Sequence, residues 1–284
     1  MKLAICLFGN VGIASSASQR KNVDLINESS TASTSPKVAF EGIKKNFIEN
    51  YETDLFIHSW SENYKNLLCK IYKPKNFMFE PQKIFKPKLE DYGINNSNNI
   101  NDWNISNDTN LSYSILQSSL NKNSDLKPQL LETAFRGQSR WYSGNRSVQL
   151  MKEFSNKNQV NYDFVLVSRI DCLFENHNDL NTLNNKNFYA SKRHGYEDID
   201  IALHDFFFLS SQENIEKFSS KIYENIYKYS IQNMTAMKQV ASELFGEDKI
   251  IHYLEYQKDY DKVRTYEKSR FEKLKNKIPF LKNV

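Results

Sequence analysis

Three short apolar runs constrain the fold of this chain more than any other feature of its sequence. They occupy residues 3–8, 54–60 and 162–167, and their sequences are LAICLF, DLFIHSW and YDFVLV. A strand that is apolar at nearly every position is buried on both faces, which is typical of a parallel sheet covered by helices on either side. The runs therefore predict three buried strands.

The segment between the first two runs predicts a crossover connection. Residues 11–36 are rich in Ser, Thr, Asn and Ala and are interpreted as a long polar loop, whereas residues 38–51 have apolar positions at helical spacing. A β-loop-α-β order favours a parallel sheet with crossover helices. We therefore expect an α/β fold of the Rossmann type, with a mostly parallel sheet flanked by helices.

Further elements follow the same periodicities. Helices are predicted over residues 129–156, 212–229 and 235–245, and short strands over residues 187–190, 202–209 and 250–254. Gly137 and Gly144 are expected to interrupt or reshape the first of these helices. Residues 71–127 are Asn-rich and lack periodicity, and we interpret them as an irregular insertion or acceptor-side segment within a domain of residues 1–255.

The last segment, residues 256–284, is predicted to be a basic amphipathic helix. Its apolar residues recur at three- and four-residue spacing, and the final seventeen residues carry six basic side chains against one acidic. A helix of this kind can lie on an anionic lipid surface, which would give the protein a peripheral membrane contact. The alternative is that the apolar stripe packs on the rest of the chain.

The composition excludes several classes of protein. The chain has 284 residues, of which 39% are hydrophobic and 13% aromatic, so it can bury a large core and is not wholly disordered. It lacks an apolar run of the roughly 18–20 residues that span a bilayer. A net charge of +4 is too small to argue for nucleic-acid binding. Three scattered cysteines without metal-ligand spacing indicate a reducing compartment, so a cytoplasmic location is expected.

A charged motif follows the third apolar run, in the segment YDFVLVSRID. It contains Arg169 and Asp171. Ligands of open α/β sheets bind outside the carboxyl ends of the strands, and residues two apart on an extended segment point the same way. The arginine is suited to phosphate and the aspartate to a divalent cation. A structural ion pair would show the same spacing, and the spacing alone does not separate the two interpretations.

The ends of the other two runs supply different side chains. The first run ends in Phe8, Gly9 and Asn10, where a residue without a side chain lets a nucleotide approach the backbone closely. The second ends in His58 and Trp60, and an aromatic ring at such a position can stack on a base or a sugar. A packed aromatic residue and a surface histidine are the alternative interpretation.

These segments, taken in order, resemble a known family. LAICLFGN, DLFIHSW, SRWYSGNRSVQLMKEF, YDFVLVSRIDCLF and HDFFFLSS are similar, as an ordered set, to a group of bacterial capsule and lipopolysaccharide glycosyltransferases. The resemblance covers residues 1–60 and 130–255. It implies a GT-A-like fold, in which one half binds a nucleotide-sugar donor and the other binds a saccharide or lipid-linked saccharide acceptor. The expected location is cytoplasmic, with a peripheral contact on the cytoplasmic face of the inner membrane.

The resemblance also implies roles for individual residues. The implied donor-binding residues are Phe8, Gly9, Asn10, His58, Trp60, Tyr142, Arg146 and Arg169. Arg169 and Asp171 stand where GT-A enzymes usually have the D-x-D pair of acids that holds Mn²⁺ or Mg²⁺. Because arginine replaces the first acid, the case for a cation held by Asp171, with His252 as a further contact, is weakened.

A catalytic base is the last residue type that the chemistry requires. Inverting transfer needs a carboxylate that takes the proton of the acceptor hydroxyl, and the resemblance points to Asp205 in ALHDFFFLSS, with Glu243 in reserve. The expected function is sugar transfer to a growing surface polysaccharide, without a nucleic-acid partner. Two alternatives stay open: a catalytically degenerate domain that binds carbohydrate or partner enzymes, and a nucleotidyltransferase that uses Arg20 and Lys21 in the first loop.

Overall fold

One mixed sheet with helices on both faces organises the computed structural model, which describes residues 1–11, 35–93, 126–177, 179–193, 203–256 and 258–262. Its strands are β1 (Lys2–Gly9), β2 (Glu52–Ser59), β3 (Asn76–Phe79), β4 (Phe164–Arg169), β5 (Cys172–Phe174), β6 (Phe188–Arg193), β7 (His204–Ser210), β8 (Ile250–Tyr256) and β9 (Tyr260–Lys262). The α-helices are α1 (Ser35–Ile43), α2 (Lys65–Tyr72), α3 (Leu126–Asn158), α4 (Gln212–Glu224) and α5 (Asn233–Phe245). A π-helical segment, Lys44–Ile48, continues α1.

The three apolar runs form the central parallel strands, as the sequence predicts. β1 pairs in parallel with β2 on one side and with β4 on the other, and β3 extends the sheet beyond β2. Six successive residues of β1 are buried. Because helices cover both faces of this strand, polar side chains would lack partners on either side, which explains its uninterrupted apolar sequence.

The sheet changes direction at β7. This strand runs antiparallel to both β4 and β6, and the full order is β3-β2-β1-β4-β7-β6-β8-β9-β5. The expectation of a mostly parallel sheet therefore describes the half built from β1 to β4, while the other half is mixed. Only two residues separate β4 from β5, yet β5 lies at the end of the strand order, so the sheet curls back on itself.

Alternate residues of β1 belong to two different apolar layers, one on each face of the sheet. The first layer joins the sheet to α1 and α2, and its members include Leu3, Ile5, Leu7, Ile43, Phe47 and Leu68. The second joins it to α3, α4 and α5, and its members include Cys6, Phe8, Trp141, Met151, Phe218 and Met237. Burial of each large apolar side chain stabilises the fold by about 1.5–3 kcal/mol.

The helix α3 spans 33 residues, and the interruption expected at Gly137 and Gly144 is wrong. Both glycines lie where the helix packs closely on other elements. A Cβ atom at Gly137 would lie 2.9 Å from Oδ1 of Asn233, and one at Gly144 would lie 4.0 Å from the ring of Phe8 in β1. Tertiary packing therefore outweighs the roughly 1 kcal/mol by which each glycine disfavours a helix.

Two other expectations differ from the structure. Residues 76–79 of the expected irregular insertion form β3, and Tyr256 and Tyr260 of the expected helical tail lie in β8 and β9, so the sheet continues beyond residue 255. These short strands form because neighbouring strands supply hydrogen bonds that periodicity does not reveal. Residues 94–125 and 263–284 lie outside the described residues. No helix in the described parts of the chain is long and apolar enough to cross a membrane.

A substitution at Gly42 tests the close approach of α1 to β5. A Cβ atom there would lie 2.7 Å from the carbonyl oxygen and 2.9 Å from the nitrogen of Phe174, and backbone atoms cannot swing aside. We expect Gly42→Ala to lower the free energy of unfolding by about 1–3 kcal/mol, measured by urea denaturation, because overpacking exceeds the gain in helix propensity. Gly144→Ala, whose Cβ has more room, is the control and should be neutral or slightly stabilising. Equal stability of the two variants would contradict the packing.

Candidate functional site

The carboxyl ends of β2, β1 and β4 bring three candidate residues side by side. In the register of these parallel strands, His58 stands opposite Phe8, and Phe8 stands opposite Arg169. Residues in register project to the same face of a sheet, which here is the face covered by α3. Neighbouring strands are about 4.8 Å apart, so the three positions span about 10 Å.

Arg169 and Asp171 bind each other at the end of β4. Nε of Arg169 donates to Oδ1 of Asp171 at 2.8 Å, and Nη2 donates to Oδ2 at 2.7 Å. The guanidinium also lies 4.9 Å from the ring centroid of Phe206 in β7. Burial lowers the pKa of Arg169, but the carboxylate of Asp171 opposes this effect, and the pKa is raised overall. The side chain of Arg169 therefore stays charged.

A second buried arginine, Arg140 of α3, lies above the same strand ends. Its Nε is 2.9 Å from Oδ2 of Asp205 but is not aligned for a hydrogen bond, and its Nη2 has no hydrogen-bond partner among the described residues. The side chain is 10% exposed and packs on the rings of Phe8, Trp141 and Phe206. Burial lowers the pKa of Arg140 to about 10, against the opposing effect of Asp205, so the group is charged at neutral pH.

The two arginines and their carboxylates form one electrostatic unit. The charge of Arg169 lowers the pKa of Arg140, and Asp205 raises the pKa of both, which shows that the groups lie within electrostatic reach of one another. A buried donor without an acceptor costs about 1–3 kcal/mol. The unpaired Nη2 of Arg140 is therefore a donor that an anionic oxygen would satisfy, once the side chain moves enough to uncover this buried atom.

His58 is the centre of a second polar cluster beside this unit. Its Nδ1 lies 2.7 Å from Oγ of Ser143 in α3, and its Nε2 lies 3.0 Å from Oε1 of Glu80, just after β3. The main-chain N–H of Gly9 donates to Oγ of Ser143 at 3.2 Å. Burial lowers the pKa of His58 to about 4, although Glu80 opposes the shift, so the imidazole is neutral at neutral pH.

An aromatic stack closes the edge of this cluster. The rings of Trp60 and Tyr142 lie 5.3 Å apart with an interplanar angle of 20°, and Lys83 lies 3.9 Å from the ring centroid of Tyr142 and contacts its hydroxyl. Arg146, one helical turn after Tyr142, lies beside Met78 of β3. Stacking of these rings on a base or sugar stays a prediction, because here they stack on each other. Asn10 is exposed and accepts a hydrogen bond from Ser61 at 3.5 Å.

Glu243, the reserve catalytic residue, lies apart from this site. It is exposed near the end of α5, where its carboxylate accepts hydrogen bonds from Lys221 of α4 and from the hydroxyl of Tyr229, both at 2.7 Å. The other end of α5 adjoins the start of β7, because Leu203 donates to the carbonyl of Met234. Glu243 is nine residues further along this helix, about 13 Å.

The residues predicted to hold a cation have other surroundings in this structure. Both carboxylate oxygens of Asp171 accept hydrogen bonds from Arg169, and His252 is exposed on β8, in register with Ala190 of β6. Within the described ranges, no group of three or more His, Cys, Asp or Glu is arranged to hold a metal ion. Because Mg²⁺ can be held by one or two carboxylates together with substrate phosphates, Asp171 would have to release Arg169 before it could bind such a cation.

Sequence reasoning missed three residues of the site. Arg140 and Ser143 follow helical i, i+3 spacing on the face of α3 that packs on the sheet, so polar residues on an otherwise apolar stripe were an available signal. Glu80 follows β3, a strand that the sequence did not predict, and nothing in its neighbourhood distinguishes it from other surface acids.

Comparisons with known proteins give limited information about this chain. No protein-family model matches it, and no curated protein matches it. Among solved structures it is similar to a candidate nucleotide-diphospho-sugar transferase from Desulfovibrio desulfuricans G20, with a TM-score of 0.38 and 8% identity, over 92% of this chain and 81% of that chain. A TM-score this low does not establish a shared fold, so the function must be inferred from the geometry of the site.

A pH series tests whether His58 is buried in its neutral form. Its pKa falls from 6.5 to about 4 on folding, so the unfolded chain takes up a proton first as the pH decreases. The contribution to stability is complete above about pH 6.5 and is lost progressively down to about pH 4, by about 3 kcal/mol. We expect the free energy of unfolding to fall by about this much more in the wild type than in His58→Gln. Parallel pH curves would show that the ring is not held neutral.

Proposed function

We propose that this protein is a glycosyltransferase that uses a nucleotide-sugar donor. The observation that carries the proposal is the buried guanidinium of Arg140, whose Nη2 has no hydrogen-bond partner among the described residues and which lies beside Arg169 and Asp205. Glycosyl transfer expels a nucleoside diphosphate, and prepositioned donors stabilise the charge that develops on its oxygens. The planar guanidinium of arginine is suited to bind phosphate oxygens through several donors.

The place of the site in the fold supports this proposal. The candidate residues cluster outside the carboxyl ends of the parallel strands β1, β2 and β4, where open α/β sheets bind ligands. Gly9, at the end of β1, has a φ of 106°, and an added Cβ would meet no atom within 4 Å among the described residues. The backbone there is open to a nucleotide. Asp205, at the start of β7, supplies the carboxylate for the acceptor proton.

The acceptor in this proposal is a bacterial surface polysaccharide, of the capsule or of lipopolysaccharide. The ordered sequence segments support it, because they resemble enzymes that extend such polymers. The basic residues beyond position 262 support a peripheral contact with an anionic membrane, where lipid-linked acceptors reside. In this proposal the protein works at the cytoplasmic face of that membrane.

The pairing of Arg169 with Asp171 favours a second candidate function. Both carboxylate oxygens are used in a two-point contact, which is what a structural ion pair at a strand end requires. The second candidate is a related domain that binds carbohydrate or a partner enzyme without transferring sugar. The two candidates differ in one measurement, the release of nucleotide from the donor.

Substitution of Asp205 tests the proposed reaction. A panel of UDP-, GDP- and CMP-sugars, with nucleotide release as the readout, should identify the donor. We expect Asp205→Asn to lower kcat by about 10²–10⁴-fold, because the amide cannot accept the acceptor proton. Glu243→Gln removes a carboxylate on the far part of α5 and should keep wild-type turnover. Donor binding that raises the Tm without any nucleotide release would favour the second candidate, and full turnover by Asp205→Asn would exclude it as the base.

Chelation tests the role of the Arg169–Asp171 pair. Because Arg169 occupies both oxygens of Asp171, we expect turnover to be nearly the same in excess EDTA as with added Mn²⁺ or Mg²⁺. The measurement is the initial rate of nucleotide release under the three conditions. Loss of turnover in EDTA with recovery in Mn²⁺ would mean that the pair opens to bind a cation.

A further inference from the structure

We infer that Glu80, acting through His58 and Ser143, holds the main chain at the end of β1 in the orientation that binds the nucleoside diphosphate of the donor. The inference rests on the proposed function and adds to it the residues that set donor affinity. The four groups form a chain of contacts: Glu80 to His58 at 3.0 Å, His58 to Ser143 at 2.7 Å, and Ser143 to the N–H of Gly9 at 3.2 Å.

The carboxylate of Glu80 fixes the direction of every hydrogen bond in this series of contacts. Burial raises the pKa of Glu80, but hydrogen bonds from His58 and Tyr142 oppose this effect, and the pKa is lowered overall. The carboxylate is therefore ionised and can only accept hydrogen bonds. Nε2 of His58 must therefore carry the ring proton, which leaves Nδ1 as an acceptor for the hydroxyl of Ser143. The oxygen of Ser143 is then available to accept from the N–H of Gly9.

The last of these groups, Gly9, has no described atom near the position that a Cβ would take. Its carbonyl accepts a hydrogen bond from the hydroxyl of Ser59 at 2.7 Å, so side chains hold both polar groups of its backbone. The φ of 106° is a conformation that glycine adopts readily and other residues adopt rarely. Two serines thus hold the peptide in place on one side, while the side where a Cβ would stand is empty within 4 Å of described atoms.

Burial shows that these residues position the site rather than react in it. His58 and Ser143 are completely buried, so neither can contact a substrate directly. Loss of the Ser143 hydroxyl would leave the N–H of Gly9 and Nδ1 of His58 unpaired, at a cost of about 1–3 kcal/mol each. The main chain at Gly9 would move to recover a partner, and the position of the donor would move with it.

The chain offers a matched pair of variants for the test. Ser143 and Ser147 are both completely buried on α3, one helical turn apart, but Ser147 donates to the carbonyl of Gly144 in its own helix at 2.7 Å. We expect Ser143→Ala to raise the Kd for UDP or GDP, measured by calorimetry, by about tenfold, which corresponds to about 1.4 kcal/mol. The donor KM should rise in parallel while kcat stays close to the wild type. Ser147→Ala should change neither constant.

Glu80, the partly exposed first group in this series of contacts, provides a second test. Glu80→Ala removes the acceptor for Nε2 of His58, whereas Glu80→Gln keeps an oxygen that can accept the same proton. We expect weaker nucleotide binding in Glu80→Ala and substantial recovery in Glu80→Gln. These variants also decide the question if Ser143→Ala does not fold. Faster hydrogen exchange of the Gly9 amide in Glu80→Ala, measured by NMR, would report the same loosening without a ligand.

The outcomes separate this inference from the proposed function. If the wild type binds nucleotides and both Ser143→Ala and Glu80→Ala bind them equally well, the inference is overturned and the proposed function stands. If Ser147→Ala weakens binding as much as Ser143→Ala, the effect belongs to the helix as a whole, and the inference is again overturned. If the wild type binds only CMP or a CMP-sugar, the inference is overturned and the proposed function stands. If it binds no nucleotide and no nucleotide sugar of the panel, the proposed function fails and the inference fails with it.

Discussion

The close packing of α3 on β1 determines where the charged groups of this protein lie. The helix packs on the ring of Phe8 through its middle turns, where Arg140 and Ser143, three residues apart, lie over the strand ends. Arg140 meets the carboxylate of Asp205, while Ser143 meets His58 and Gly9. A single interface between a helix and a strand thus places both the guanidinium that is proposed to bind an anion and the hydroxyl that contacts the backbone of Gly9.

The balance of charge within the site explains how two buried arginines are tolerated. Arg169 is matched by Asp171 in an aligned pair, whereas Arg140 is only approached by Asp205 and keeps a donor unpaired. Burying a charge is costly unless it is paired and hydrogen-bonded, so the fold retains strain in Arg140 that a phosphate oxygen would relieve. In the proposed function, the aligned pair is structural and the incomplete pair is the one that binds an anion.

The sequence predicted β1, β2 and β4 because the buried stretches of these strands are largely apolar. It also placed Arg169 and Asp171 at the carboxyl end of a strand, since strand ends are local features, whereas Asp205 was indicated only by the family resemblance. The short strands β3, β5 and β9 could not be predicted, because their stability comes from partners distant in the chain. The meeting of Arg140 with Asp205, and of Glu80 with His58, depends in the same way on tertiary packing, which periodicity does not encode.

The curl of the sheet has a consequence for the order in which the site is assembled during synthesis. The turn that carries Asp171 lies between β4 and β5, and the partner of β5 among the described residues is β9, about ninety positions later along the chain. Tyr260 must therefore have been synthesised before both strands that flank this turn can pair with their neighbours. Contacts of such long range are slow to form, so the parallel half can fold first, and the turn that carries Asp171 is completed only when β9 pairs with β5.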